Sequence, residues 1–509
     1  MGAIHQNVTN YLLEGKSPSR PALFFLDGQF TYGQLSDVCD GIVAQLLSGS
    51  AQAGDRVILI AENSLFWIGS YLAVLRAGLI CVPLPPGIPA PELRDVLVST
   101  RPRFGFVQER VLARHSHILS PLRLATDRGS PNSLGALGAA SADPGSFGAI
   151  PAAGGDDLAA LMFTSGSTGT PRGVMVSHRN IIANTESIIQ YLHLTGDDRM
   201  MTVLPFHYCF GTSLLHTHLR TGGSLVVDSR FMYPEDLLGR MVETECTGFA
   251  GVPSHFHLLM GSSGLRRRSF PRLRYMQQAG GRLPETSLRE LRAILPDTKI
   301  FVMYGQTEAT ARLSYLPPEY LESKMGSIGR GIPGVTLRVL NQNGQPVRPG
   351  EVGEITADGE NISRGYWGAP EETAASFRGG MLCTGDLATV DEDGFIYILD
   401  RARDFLKCGG KRVSCRQIED RILQCRDLAE AAVIGIADDV TGEAVKAFVV
   451  PCGAVPPDFG ESLRVFCRKN LPLELVPKEI VVLDALPKNS AGKVSKRELR
   501  SMGLPLADA

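Results

Sequence analysis

Between Leu161 and His178 the chain reads LMFTSGSTGTPRGVMVSH. Leu161, Met162 and Phe163 form one apolar run and Val174, Met175 and Val176 another, so the stretch predicts two strands joined by a loop of small and hydroxylated residues. That loop has chemistry available to it. Gly166 and Gly169 permit positive φ, which lets successive N–H groups converge on one anion. Ser165, Ser167 and Thr168 add hydroxyl donors, and Arg172 adds a guanidinium suited to phosphate. No Gly-Lys-Ser/Thr follows the glycines, so this is not a Walker A loop. On local chemistry alone, a polar hairpin loop that binds nothing stays open.

Five further stretches carry reactive or ligand-binding residue types. Leu204-Pro205-Phe206-His207-Tyr208-Cys209-Phe210-Gly211 sets a histidine among aromatics, where a histidine is ordinarily a packed, hydrogen-bonded side chain. Gln277-Gln278-Ala279-Gly280-Gly281 pairs two glycines, which suit either close backbone approach to a flat base or a tight turn. Tyr304-Gly305-Gln306-Thr307-Glu308 combines an aromatic face, a hydroxyl and a hard anionic oxygen ligand. Thr384-Gly385-Asp386 offers a carboxylate whose two oxygens fit a vicinal diol, although Gly-Asp by itself is a turn. Near the end, Pro487-Lys488-Asn489-Ser490-Ala491-Gly492-Lys493 presents a lysine of the kind that is usually just solvated.

Together these motifs resemble, over nearly the whole chain, the adenylate-forming enzymes: acyl-CoA synthetases, peptide-synthetase adenylation domains and luciferases. TSGSTGTPRGV is similar to their phosphate loop, which implies ATP binding by Ser165, Gly166, Ser167, Thr168, Gly169 and Arg172. The resemblance further implies adenine against Gly280, Gly281, Tyr304 and Gly305, the α-phosphate on Thr307, Mg²⁺ on Glu308, and both ribose hydroxyls on Asp386. It assigns catalysis to Lys493, Glu308, Thr164 and His207, and the acyl pocket to Tyr208, Phe210, Gly211 and Gln278. By the same resemblance, Arg401 is expected to join the nucleotide site, Lys407, Gly409 and Gly410 to line the coenzyme A path on a hairpin, and Arg403 to be the hinge. The implied reaction joins a small-molecule carboxylic acid to coenzyme A through acyl-AMP, with an acyl carrier protein as the alternative thiol. Amino-acid adenylation domains carry an Asp near the Phe206-His207 position. Here no carboxylate lies between Val203 and Leu219, so a buried substrate ammonium would lack a counter-charge and an α-amino acid is not the expected substrate.

Four positions depart from the family pattern: Arg172 replaces the usual Lys, Asp400 a Gly, Arg403 a Lys or Asp, and Cys415 a common Pro. Arg172 keeps the charge but changes the geometry, which leaves open a ligase competent mainly in thioester formation. A non-catalytic sensor on the same fold fits less well, because a sensor has no need to keep Lys493, Glu308 and Asp386 together.

Composition narrows the class. The 509 residues are enough for more than one core, and the predicted division is residues 1–400 and 401–509. Lys and Arg total 51 against 53 Asp and Glu, a balance that gives no electrostatic case for nucleic acid or an acidic membrane. Ten scattered cysteines, with no Cys-x-x-Cys pair, point to a reduced, cytoplasmic protein. The most apolar stretch, 65–84, contains Ser70, Arg76 and Pro83 and is expected to be a buried helix–strand unit rather than a membrane span.

The elements that must position these residues follow from the patterning. Residues 21–86 predict strand–helix–strand–helix–strand, with a helix opening at Thr31, and hence a mainly parallel sheet. Residues 125–155 read as an irregular connection. A helix over 179–194 and another strand–helix–strand round over 222–260 follow. Turn signals at 341–344, 349–350, 358–359 and 391–394 predict a small β-subdomain over 326–400. Tyr366 and Trp367 within it read as packing residues. The expected fold is therefore α/β: a large N-terminal domain of α/β subdomains plus a β-subdomain, and a small mobile α+β C-terminal domain.

Overall fold

The computed structural model describes residues 7–127, 153–164, 171–401, 405–408, 411–425, 427–438, 442–453, 455–456, 458–488 and 494–502. Strand–helix alternation produces two α/β sheets instead of one. The first has nine strands in the order Arg330–Gly331, Ser314–Leu316, Lys299–Tyr304, Tyr275–Gln278, Gly248–Gly251, Arg199–Thr202, Ser224–Val227, Pro21–Phe25 and Gly28–Thr31. Its six central strands, Lys299–Tyr304 through Pro21–Phe25, are mutually parallel, and antiparallel partners close the edges. The second runs Arg123–Ala125, Phe104–Val107, Arg56–Ile60, Ile80–Leu84, Leu158–Thr164 and Arg172–Ser177. Only its last pair, the two strands around the candidate phosphate loop, is antiparallel.

Local signals explain where the early helices begin. Thr31 caps helix Tyr32–Ser48 with a reciprocal box to Gln34, and Ser64 caps helix Leu65–Arg76 by accepting from the Trp67 N–H. Every residue from Leu65 to Leu75 is buried, as expected of a helix that is apolar all round. Its Trp67 ring lies 5.3 Å from Phe206, and the Tyr71 hydroxyl is 2.9 Å from His216 Nε2. Side chains of this size contribute roughly 1.5–3 kcal/mol each when buried, so this helix fastens the 204–216 region to the first 80 residues. The apolar stretch 65–84 is thus core, and among the described residues no helix is long and apolar enough to cross a membrane.

The turn-rich region folds as a five-stranded sheet in which Val335–Leu340, Gly353–Gly359, Met381–Val390 and Phe377–Arg378 follow one another and Ile396–Arg401 pairs with Met381–Val390. The C-terminal unit has its own apolar core around Ile418, Val433, Val445 and Leu463. It opens with the hairpin Phe405–Cys408/Lys411–Ser414, continues through helix Cys415–Ile422 and the long pair Leu428–Asp438/Gly442–Pro451, and adds helix Phe459–Asn470 and strand Glu479–Val482. A mixed α/β architecture with a large N-terminal and a small C-terminal part is therefore borne out. One feature of the first stretch was not: Pro21–Phe25 leaves its sequence neighbours and pairs in the other sheet, with Ser224–Val227.

Candidate active site

In an open parallel sheet, the loops after the strands' C-terminal ends share one rim, and that rim is where such sheets bind ligands. Strands Arg199–Thr202, Gly248–Gly251, Tyr275–Gln278 and Lys299–Tyr304 are adjacent and parallel. Their outgoing loops carry, in turn, His207 to Gly211, Pro253, Gly280 and Gly281, and Gly305 to Glu308. Topology alone thus gathers three of the sequence motifs.

Glycine is required at two of these turns. A Cβ on Gly305 would sit 1.9 Å from Ala311 O, and one on Gly211 would sit 2.2 Å from Pro205 O. Gly280 has φ +82°, and Gln278 Nε2 donates to Gly281 O at 2.6 Å, so Gln278 braces the paired-glycine turn. Asn63 holds the 204–206 loop from the other sheet, donating to Leu204 O and accepting from the Phe206 N–H, both at 2.8 Å. Thr212 Oγ1 donates to Phe206 O at 2.6 Å and Tyr208 O at 2.8 Å. Cys209 Sγ lies 3.6 Å from Thr307 Oγ1 and joins this loop to the Tyr304 motif.

The β-subdomain completes the rim. The half-buried Tyr304 donates its hydroxyl to Asp386 Oδ2 at 2.5 Å, bringing together two residues 82 positions apart. Glu308 Oε1 accepts from the Tyr366 hydroxyl at 2.8 Å, and its backbone carbonyl accepts from the Ser363 N–H at 2.8 Å. Segment 364–367 pairs with strand Arg172–Ser177 through Met175 N to Gly365 O, Arg364 N to Met175 O and Trp367 N to Gly173 O. Arg172 consequently stands 5.6 Å from the Tyr366 ring centre and 3.8 Å from a Glu372 oxygen. His207 is buried with its ring centre 4.4 Å from that of Tyr208. Burial drives its pKa down to about 3, so the imidazole is neutral, and its Nε2 has no partner among the described residues.

The donor set fits the groups the motifs imply. An aromatic ring beside a carboxylate suits a nucleoside, and a carboxylate oriented by a phenol suits a hard cation. Thr164 ends the strand that leads into the candidate phosphate loop. Ser165, Gly166, Ser167, Thr168, Gly169, Arg403, Gly409, Gly410 and Lys493 lie outside the described residues, and Arg401 and Lys407 are described only as strand backbone.

The AMP-binding enzyme family matches residues 14–367, and the AMP-binding enzyme C-terminal domain matches residues 417–493. The chain belongs to the AMP-binding enzyme family. Relatives of this AMP-binding enzyme include a feruloyl-CoA synthase of an Amycolatopsis species, 31% identical over 488 residues that cover 95% of this chain and 96% of the relative. An indoleacetate–CoA ligase of Aromatoleum aromaticum is 28% identical over 495 residues, 96% of both chains. Among solved structures, ATP-bound MatB from Rhodopseudomonas palustris superimposes with a TM-score of 0.89 at 28% identity, covering 98% of this chain and 99% of its own. The resemblance to the acyl-CoA synthetase branch of adenylate-forming enzymes is borne out by these matches.

Several residues that shape the site of this AMP-binding enzyme carried no motif signal. Asn63 sits 141 positions before the carbonyl it holds. Tyr366, expected only to pack, is buried as expected but also orients Glu308. Arg282, beside the paired glycines, forms an ion pair with Asp420 of helix Cys415–Ile422 and so ties the rim to the C-terminal part.

Proposed function

We propose that this AMP-binding enzyme is an AMP-forming acyl-CoA synthetase. It activates a small-molecule carboxylic acid with ATP to acyl-AMP and pyrophosphate, then transfers the acyl group to the thiol of coenzyme A. The Tyr304–Asp386 contact carries this reading, because it sets a stacking ring and a diol-binding carboxylate side by side at the C-terminal rim of a parallel sheet. A carboxylate is a poor electrophile, and adenylation gives it a leaving group. The first step then needs position and charge stabilisation more than covalent help. Thr164, the loop 165–169 and Arg172 hold the phosphates, Thr307 meets the α-phosphate, and Lys493 neutralises charge on the α-phosphoryl and carboxylate oxygens. Glu308 would hold Mg²⁺, which supplies charge neutralisation to the phosphate oxygens. Neutral His207, with Tyr208, Phe210 and Gly211, borders the acid, and its free Nε2 orients the bound carboxyl end.

For the second step, rotation about Arg403 replaces the Lys493 loop with the hairpin carrying Lys407, Gly409 and Gly410. The domain boundary belongs at 400/401, so limited proteolysis near residue 401 should respond to acyl-AMP analogues and to coenzyme A. The balanced charge and reduced-cysteine pattern support a cytoplasmic enzyme that acts on free acids.

Pyrophosphate release over a panel of carboxylic acids, with coenzyme A, with an acyl carrier protein, or with neither, tests the reading. Acid-dependent release with thioester formed on coenzyme A is the expected result. Thioester only on the carrier protein would replace the acceptor, and absence of release with every acid would refute the adenylation step.

A further inference from the structure

Arg312 is one of the largest fully buried side chains, 1% exposed, in the segment that follows Glu308. Its neighbours are neutral. Nε donates to the Tyr191 hydroxyl at 3.3 Å, one Nη donates to Gln277 Oε1 at 3.5 Å, and the guanidinium stands 4.5 Å from the Phe210 ring centre. Both hydrogen bonds are long, and no carboxylate among the described residues pairs with it. A guanidinium has five N–H donors, and a buried cation without a counter-ion is costly; stacking on one ring offsets part of that cost. A second donor beside it is also idle: Gln277 is fully buried and its Nε2 has no partner among the described residues.

The backbone has been arranged to bring Arg312 here. Thr310 takes φ +65° and ψ −51°, a strained conformation for a β-branched residue, and Thr310 Oγ1 donates to Asn361 O at 2.7 Å. Asn361 Nδ2 and Asn184 Nδ2 both donate to Arg312 O, at 2.9 and 3.1 Å. Strain held in place by these three side-chain bonds is a feature of ligand sites more than of free turns.

The position follows from two segments lying side by side. Cys209 meets Thr307, and one residue further along Phe210 meets Arg312. With the reacting carboxyl placed at the Thr307–Glu308 end, Arg312 and Gln277 lie further along the same two segments, beside the candidate pocket residue Phe210. We propose that the acid carries a second carboxylate, and that Arg312, with Gln277 Nε2, is the subsite that receives it. This rests on the acid-activating function proposed above and names its substrate class, a compact dicarboxylic acid. A cation at this place also disfavours an acid bearing an ammonium group.

The test compares acids of equal length: straight-chain monoacids, the corresponding α,ω-diacids from malonate to adipate, and the diacid monomethyl esters. Pyrophosphate release gives kcat/KM for each, and the acid-dependent shift in Tm gives binding independently of turnover. The wild type should prefer its best diacid over the matched monoacid and monoester by at least 10²-fold, in the range of sites that leave a buried polar group unpaired when the partner is missing. Arg312→Met, similar in length and apolar, should abolish that preference while still accepting the monoacid. Arg312→Lys should keep part of it, and Gln277→Met should reduce it severalfold. Monoacids and diacids used within threefold by the wild type, or a preference surviving in Arg312→Met, would overturn the subsite and leave the synthetase function standing. Diacid-dependent stabilisation without pyrophosphate release from any acid would keep the subsite and refute the synthetase function. Should Arg312→Met fail to fold, the Gln277→Met variant and the wild-type panel still decide.

Discussion

Tyr366 donates its hydroxyl to Glu308 Oε1 at 2.8 Å, and the same ring lies 5.6 Å from the Arg172 guanidinium. One aromatic side chain therefore connects the end of the candidate phosphate loop to the candidate metal ligand. Burial, together with the Glu308 carboxylate, raises the Tyr366 pKa well above the usual phenol range, so the hydroxyl stays a donor at all working pH values. Tyr366→Phe keeps the ring and removes the bond. Pyrophosphate release should fall about 10–100-fold and its Mg²⁺ requirement should rise, as for partners that orient a metal ligand. The stability change should be only about 1 kcal/mol. A Mg²⁺ titration of wild type and variant decides, and superimposable titrations would remove Tyr366 from the mechanism. The contact also gives Arg172 a reason to be arginine: Arg172→Lys keeps the charge but loses a planar group that can stack on the ring.

What the sequence disclosed was local chemistry, and what it withheld was tertiary pairing. The paired strands Leu158–Thr164 and Arg172–Ser177, the Thr31 cap and the 65–84 helix–strand unit rest on contacts close in sequence, and each lies where the pattern placed it. Motif residues Tyr304, Glu308 and Asp386 stood out because their types suit the chemistry of the ligands proposed for them. The partition of the first 86 residues between two sheets was not legible, because Pro21–Phe25 finds its parallel neighbour only at Ser224–Val227. Arg312 was invisible for a related reason. An isolated Arg ordinarily reads as a solvated surface residue, and only the packing of Phe210 and Tyr191 around it reveals a buried cation.

The glycines divide into those that the backbone requires and those that only a ligand requires. Gly305→Ala places a methyl against a backbone carbonyl at 1.9 Å, where no flexible side chain can yield. Destabilisation of at least about 2–3 kcal/mol and loss of turnover should appear together. A Cβ on Gly281 meets only Pro253, at 3.2 Å, a clash that a few tenths of an ångström relieves. Gly281→Ala should therefore melt within a few degrees of the wild type while raising KM for ATP. Equal ATP kinetics in a folded Gly281→Ala protein would count against adenine lying along that turn.

Acid should weaken the fold through buried histidines. Burial lowers the pKa of His207 and His216 to about 3 and that of His178 to about 4, against 6.5 for the free side chain. Between these values the unfolded chain binds protons that the folded one refuses. Stability is thus undiminished above about pH 7 and falls as pH drops from about 6.5 towards 4, at up to roughly 1.4 kcal/mol per pH unit for each group. Melting temperatures from pH 7.5 to 5 should show this decline, and His216→Gln should make it shallower. The pH profile of pyrophosphate release should show no inflection belonging to His207 between pH 5 and 9; an inflection removed by His207→Asn would mean that the imidazole titrates in the site.

Lys493 offers the sharpest separation of the two half-reactions. If it neutralises charge at the α-phosphoryl transition state, Lys493→Ala should slow adenylation by about 10²–10³-fold or more, the usual cost of one such electrostatic contact. Thioester formation from supplied acyl-AMP and coenzyme A should stay near the wild-type rate if, as proposed, rotation about Arg403 carries the lysine away before the thiol arrives. A bulky residue at Gly409 or Gly410 should do the reverse, sparing adenylation and blocking the pantetheine path. Each variant is given either acid plus ATP or acyl-AMP plus coenzyme A, and both products are timed. The Arg282–Asp420 pair is only half-buried, which fits a C-terminal part that can turn, since ion pairs still open to solvent typically hold with about 1 kcal/mol or less. Equal slowing of both half-reactions by Lys493→Ala would show that the lysine stays in the site throughout, and the rotation would have to be abandoned.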